Sequence, residues 1–153
     1  MQYLLSYFST LIILLFVSCV SHKSSLSETN VNNNYKTHDI QKIELTEQTR
    51  GTNRVFTFIP NSKMISTNGN VITSPLSVSD WESITKEVSS IDLLNMSNLP
   101  SPTTDRYSDA ALASKIIITF KNKTYQSSEF DANRPPAELE NLYKKLKKTV
   151  IRY

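Results

Sequence analysis

Histidine, cysteine and glycine are scarce in this chain, with two, one and two copies among 153 residues. Both histidines, His22 and His38, precede the segment that we expect to fold, so no imidazole there can activate a serine or cysteine nucleophile. Zinc, copper and iron sites lose their usual ligands for the same reason. The two glycines, Gly51 and Gly69, lie too far apart for a phosphate-binding loop. We therefore expect no catalytic, cofactor-binding or metal-binding constellation of these kinds.

The charge balance of the chain is mild. It carries 17 basic and 14 acidic residues, a net charge of +3. Nucleic-acid-binding domains usually present a strongly basic face. We therefore expect no nucleic-acid partner.

The N-terminal segment is apolar and ends at the single cysteine. Residues 11–17 form an uncharged run that is shorter than the roughly 20 apolar residues of a transmembrane helix. Phe16, Val17 and Ser18 before Cys19 resemble the bacterial lipoprotein box, in which a peptidase cleaves before the cysteine and its thiol takes a diacylglyceryl group. We expect residues 1–18 to be a lipoprotein signal peptide and Cys19 to be lipidated.

Two features of this segment depart from the usual pattern. Phe16 stands where leucine is common, and Met1, Gln2 and Tyr3 provide no positive charge. An uncleaved signal anchor and an ordinary secretory signal therefore remain as alternatives. If Cys19 is lipidated, we expect the chain to be held in the bacterial cell envelope, on the periplasmic or surface face of the outer membrane.

The region after the cysteine changes composition near residue 40. Residues 19–39 are polar, rich in serine and asparagine, and typical of a disordered tether. Residues 40–153 are long enough for one domain with a modest core. We expect this domain to be α+β.

Strand patterns recur along the predicted domain. Alternating polarity and β-branched runs predict strands at residues 42–46, 54–59, 64–67, 71–73, 115–120 and 124–130. Asn68-Gly69 is typical of a two-residue hairpin turn. Because hairpin-sized connections favour antiparallel pairs, we expect a mostly antiparallel sheet of four to six strands.

Two amphipathic helices are predicted to pack on one face of this sheet. Ser79 and Glu82 have the spacing of a capping box, which predicts a helix from Ser79 to about Ser90. Pro135-Pro136 predicts the start of a last helix. We expect one shared core that contains Trp81, Ile118, Phe120, Leu139, Leu142 and Leu146.

Carboxylate pairs of the domain could in principle act as acid and base or bind calcium. Asp105, Asp109 and Asp131 lie near the expected loops around the second hairpin. Their spacing matches no calcium loop, and Asp131 also suits a cap or turn before the last helix. They are weak ligand candidates.

The order of elements resembles that of small envelope lipoproteins of bacteria. The resemblance rests on residues 104–111, and on residues 130–131 followed by 135–139. It implies a location and a fold but no activity. We expect a non-catalytic, lipid-anchored interaction or structural module whose partner is an envelope protein or glycan. A carboxylate-dependent hydrolase or calcium-binding domain, and an inhibitor or immunity-type protein, are the alternatives.

Overall fold

The computed structural model describes residues 37–151. The predicted signal peptide, Cys19 and residues 19–36 of the predicted tether lie outside the described residues. His38 lies in a 3₁₀ turn at Thr37–Asp39. The carbonyl oxygen of Asp39 accepts a hydrogen bond from the amide of Lys121 at 3.1 Å, so contacts of the fold begin just before the expected boundary at residue 40.

The described residues form an antiparallel sheet and two α-helices, and the predicted α+β class is confirmed. The strands follow the order β4-β3-β2-β1-β5-β6, and β7 pairs with β5 beside β6. The count of seven exceeds the predicted four to six because β6 and β7 are separate short strands. The strands are β1 (Ile40–Thr49), β2 (Thr52–Ile59), β3 (Ser62–Thr67), β4 (Asn70–Pro75), β5 (Ala113–Phe120), β6 (Lys123–Gln126) and β7 (Phe130–Asp131).

The strands β1 and β5 form the centre of the sheet. Ile43 pairs with Ile118 and Leu45 pairs with Ile116, and all four side chains are buried. Alternate residues of a strand point to opposite faces, so the alternation of burial in both strands defines one buried face of the sheet.

The first predicted turn is confirmed. Asn68 and Gly69 join β3 to β4 with φ angles of 50° and 88°. Two consecutive positive φ angles match the right-handed twist of the strands, and few residues other than asparagine and glycine adopt them readily.

The predicted strand at residues 124–130 is instead divided into β6 and β7. Ser127 interrupts it, because its buried hydroxyl accepts a hydrogen bond from the amide of Ile116 at 3.1 Å and donates one to the carbonyl oxygen of Ser128. The hydroxyl of Ser128 donates to the carbonyl oxygen of Leu99. The two serines thus direct the chain out of the ladder and toward the preceding loop.

The helices are α1 (Val78–Val88) and α2 (Glu140–Ile151). The predicted cap at Ser79 is wrong: Ser77 caps α1, and its hydroxyl accepts from the amide of Asp80 at 3.1 Å. Leu76, just before the cap, is buried, and Trp81 packs against the same core. Such a pair fixes the entry of the chain into a helix. A cap at Ser79 would put the exposed Val78 in the position that Leu76 takes.

The last helix begins with a 3₁₀ turn at Ala137–Leu139, directly after Pro135-Pro136. The six residues predicted to share one core do so, with Trp81 partly buried. Ile91, which continues the helical spacing of Trp81, Ile84 and Val88, is buried, and residues 93–99 add three buried apolar side chains that the sequence patterns do not reveal, namely Leu93, Met96 and Leu99. No helix among residues 37–151 is long and apolar enough to cross a membrane.

Candidate functional site

Asp131 is the most deeply buried of the three predicted site residues. Its side chain is fully enclosed at the end of β7, although carboxylates rarely lie inside a protein without a partner. The amides of Asp105 and Arg106 donate to its two oxygens at 2.7 and 3.0 Å, and Nη1 of Arg106 donates to Oδ1 at 3.1 Å. The side chain of Asp131 therefore caps the 3₁₀ turn at Asp105–Ser108 and not the last helix. Its carbonyl oxygen accepts a hydrogen bond from the amide of Arg134 at 2.9 Å, which forms the turn expected before that helix.

The guanidinium of Arg106 is enclosed together with this carboxylate. Besides Asp131, its Nη1 donates to the hydroxyl of Ser101 and the carbonyl oxygen of Thr103, at 3.1 and 2.7 Å. Its Nη2 donates to the hydroxyl of Tyr107 at 2.9 Å. Arg106 thus ties the loop at residues 101–107 to β7.

Two opposing effects act on the pKa of Asp131. Burial by itself raises the pKa, but the nearby Thr103 side chain and the hydrogen bonds from Arg106 and from the backbone of Asp105 outweigh it. The net result is a pKa well below the ordinary aspartate value. Asp131 is thus an ionised, enclosed anion that neither gives nor takes a proton near neutral pH.

Asp105 and Asp109 face other arginines. The carboxylate of Asp105 accepts from Nη1 of Arg134 at 2.6 Å. Asp109 accepts from the hydroxyl of Thr49 at 2.9 Å and lies 3.2 Å from Nε of Arg50. The structure therefore places Asp105 next to Asp131, whose carboxylate accepts from the backbone amide of Asp105. The carboxylate of Asp109 lies elsewhere, at the end of β1.

The paired carboxylates leave little room for metal or acid–base chemistry. Within residues 37–151, no three histidine, cysteine or carboxylate side chains are placed to hold one metal ion. A general base needs access to its substrate and a pKa near the working pH, and Asp131 has neither. Together the three aspartates join distant loops of the fold.

A second buried carboxylate, Glu47, lies on β1 and was not among the predicted site residues. It is 1% exposed. Nζ of Lys147 donates to its Oε1 at 2.7 Å, and the hydroxyl of Tyr143 donates to the same oxygen at 3.1 Å. The amide of Asn133 in turn donates to the Tyr143 hydroxyl at 2.9 Å. These contacts link the central strand, the last helix and the loop before it.

The surroundings of Tyr143 keep its phenol protonated. Burial is the main cause that raises the pKa of Tyr143 above the ordinary tyrosine value, and the nearby Glu47 charge adds to it. The hydrogen bond from Asn133 acts in the opposite direction and is weaker. Tyr143 is therefore a hydrogen-bond donor at this position.

An open groove of about 610 Å³ runs along this side of α2. One side of the groove is lined by Asn133 and Pro135. The other side is lined by the face of α2 that carries most of the lysines of this helix. Lys147 also lies 5.3 Å from the centre of the Phe56 ring. The groove is lined by Asn133, Pro135, Glu140, Tyr143, Lys144, Lys147, Lys148 and Ile151.

Sequence reasoning missed the partners of these carboxylates. Glu47 continues the period of two that Ile43 and Leu45 begin, so its place on the buried face was readable from spacing alone. Arg106 and Arg134 had no comparable signal, because nothing in local sequence predicts a contact 25 or 29 residues away.

Comparison with protein-family models, curated proteins and solved structures finds no significant match to this chain.

Proposed function

We propose that this protein is a lipid-anchored, non-catalytic interaction module of the bacterial cell envelope. The observation that carries the proposal is the apolar run at residues 11–17 followed by Ser18 and Cys19. The chain has no other cysteine, so acylation of this thiol leaves none for a disulfide or for redox chemistry.

The geometry of the described residues supports a binding role better than a catalytic one. The two most deeply buried carboxylates each have a cationic partner: Asp131 pairs with the enclosed Arg106, and Glu47 pairs with the partly exposed Lys147. They hold strands, loops and helices together, and no observation favours the hydrolase or calcium alternative. What the domain offers a partner is surface, including the groove along α2.

The anchor is tested by replacing the only thiol. Cys19→Ser should leave an unprocessed precursor and abolish labelling by a palmitate analogue, because serine cannot accept the thioether-linked lipid. Ser21→Ala, two residues further on, is the matched control and should be processed and labelled normally. An unsubstituted chain that keeps residues 1–18 and takes up no palmitate label would instead show an uncleaved anchor, and processed soluble protein would show an ordinary secretory signal.

The interaction role is tested by crosslinking within the envelope. A photoreactive amino acid at Lys148 in the groove should capture one reproducible envelope protein or glycan, and the same probe at Thr124 on β6 should not. A chain that remains alone with the probe at either position contradicts the interaction role.

We further infer that both helices cover the same face of the sheet. Nζ of Lys63 on β3 donates to the carbonyl oxygen of Thr149 on α2 at 2.7 Å. Ile84 and Val88 of α1 belong to the same cluster of buried side chains as Ile43 of β1. Each helix has a single apolar stripe, which supports one common sheet surface as its partner.

A further inference from the structure

In the part of the chain that the structure describes, β4 forms an edge of the sheet and no strand pairs with its outer side. Among the described strands its only neighbour is β3. The residues Asn70–Pro75 include no charged side chain, and Val71 and Ile72 are 60% and 62% exposed. Exposed edges without charge or bulge readily pair with another strand.

The opposite edge of the sheet carries a charge and is interrupted. It consists of β6 and β7, which are separated by residues 127–129, and β6 begins with the exposed Lys123. A charged side chain and an interrupted strand are devices that keep edges from pairing. In the described part of the chain, the β4 edge has neither a charged side chain nor an interruption before Pro75, its last residue.

The hydrogen bonds of the β3–β4 hairpin determine which backbone groups of β4 face outward. The amide of Leu76 donates to the carbonyl oxygen of Asn61 at 3.1 Å. Because bonded and non-bonded pairs alternate in an antiparallel ladder, Asn70, Ile72 and Ser74 bond inward to β3. The N–H and C=O groups of Val71 and Thr73 therefore point away from the sheet.

We propose that β4 pairs with β4 of a second copy of this chain, antiparallel, about a two-fold axis at Ile72. In this register Val71 of each copy stands opposite Thr73 of the other, and each such pair exchanges both N–H···O bonds. The outward groups of the two strands thereby satisfy one another, and the two sheets become continuous.

The side chains of β4 are complementary to themselves in the same register. Ile72 meets its own symmetry mate on one face, and Val71 meets Thr73 on the other, which are the β-branched neighbours that stabilise cross-strand pairs. Asn70 stands opposite Ser74, so polar side chains also meet. Because β4 is uncharged, no like charges oppose each other across the axis.

A single strand pair buries less surface than the roughly 800 Å² per partner of a standard interface. We therefore expect a reversible dimer. The pairing uses backbone and side-chain atoms of β4 alone, so it does not depend on lipidation of Cys19.

Cysteine crosslinking of the 153-residue chain in bacterial cells tests the axis. Ile72→Cys places two thiols on a non-bonded pair, where Cβ atoms lie about 4.5–5.5 Å apart, close to disulfide geometry. Under mild oxidation, Ile72→Cys should give several-fold more covalent dimer than Thr124→Cys. Thr124 is the control because it occupies an outward-facing position on the other edge strand, β6. The unmodified chain gives the background from Cys19.

A mixing experiment tests the register. Chains with Val71→Cys and Thr73→Cys should crosslink to each other when co-expressed and much less when expressed alone. Equal crosslinking of Ile72→Cys and Thr124→Cys, or a crosslink from Ile72→Cys to a different protein, would overturn the proposal.

A charge exchange tests the same contact without thiols. Two differently tagged copies should no longer co-purify when both carry Ile72→Lys or both carry Ile72→Glu, because like charges then meet at the axis. Co-purification should return when one copy carries Ile72→Lys and the other Ile72→Glu. Loss without rescue, in variants whose circular dichroism is unchanged, contradicts direct β4–β4 pairing.

Discussion

At the residue scale, two buried carboxylates anchor the polar contacts of this fold. Asp131 binds Arg106 and two backbone amides, and Glu47 binds Lys147 and Tyr143. Removing one member of a buried pair leaves an uncompensated charge in the interior, which is costly even where the intact pair stabilises little. These positions should therefore tolerate substitution poorly although no chemistry is assigned to them.

Asp131→Asn should lower the free energy of unfolding by about 3–5 kcal/mol, because Arg106 loses its buried counter-ion. Asp109→Asn is the matched control and should change it by less than about 1 kcal/mol, since Asp109 pairs with Arg50 at the surface. Urea denaturation of both variants measures the difference. Similar losses in the two variants would show that the Asp131 pair does not tie the loops together.

The same residue should contribute to acid sensitivity. The pKa of Asp131 is lower in the folded chain than in the unfolded one, so the unfolded chain binds more protons in acid. The stability it contributes is complete above about pH 4 and is lost as the pH falls below that value. Asp131→Asn should therefore lose less stability than the unmodified chain between neutral pH and about pH 3. Equal losses of stability in Asp131→Asn and in the unmodified chain would contradict a lowered pKa of Asp131 in the folded state.

Leu142→Ala should lower the free energy of unfolding by about 2–5 kcal/mol, because Leu142 is buried and alanine leaves a cavity. Lys148→Ala, on the exposed side of the same helix, should change it by less than about 0.5 kcal/mol. Thermal denaturation followed by circular dichroism distinguishes the two, and a reversed order would mean that α2 faces the other way.

At the scale of elements, local pattern predicted most of the architecture. The alternation in β1 and β5, the Asn68-Gly69 turn and the apolar stripe of α2 each depend on neighbours in sequence, and each was found. The predicted position of the α1 N-cap was wrong because Ser77-x-x-Asp80 and Ser79-x-x-Glu82 both have the spacing of a capping box. Burial of Leu76 decides between the two positions. The division of β6 from β7, and the arginine partners of the aspartates, depend on contacts between distant segments. No local periodicity encodes such contacts.

Ser77→Ala should destabilise α1 by about 0.5–2 kcal/mol, because the amide of Asp80 loses its acceptor. Ser79→Ala provides the control within the same helical turn and should be close to neutral, since alanine is a good helix former there. Chemical denaturation of the two variants compares the two registers directly. A larger loss in Ser79→Ala would restore the cap first expected from the sequence.

At the scale of the whole molecule, the sheet has a protected centre and one open edge. The strand β1 has β2 on one side and β5 on the other, whereas β4 has only β3 among the described strands. Stability within a fold is not uniform, and central strands usually open only with the whole molecule.

Amide hydrogen exchange should follow this arrangement. The amides of Glu44 and Ile117 should exchange slowest, because these two residues form a hydrogen-bonded pair between the central strands β1 and β5. In an Ile72→Lys variant, which we expect to be monomeric, the amides of Val71 and Thr73 should exchange fast. They should be slower in the unmodified chain at high concentration. Equal rates in the two chains would argue against the β4 dimer.

The position of β5 beside β1 also affects the order in which the strands of the sheet can pair. The first four strands form an uninterrupted meander, but the second partner of β1 arrives only with residues 113–120, after α1 and a long irregular segment. A chain that emerges from its N-terminus can complete the meander while the far side of β1 still lacks its neighbour. Closing so distant a pair is intrinsically slow. During synthesis, the edge most exposed to misassociation is therefore β1, the strand that becomes the most protected once folding ends.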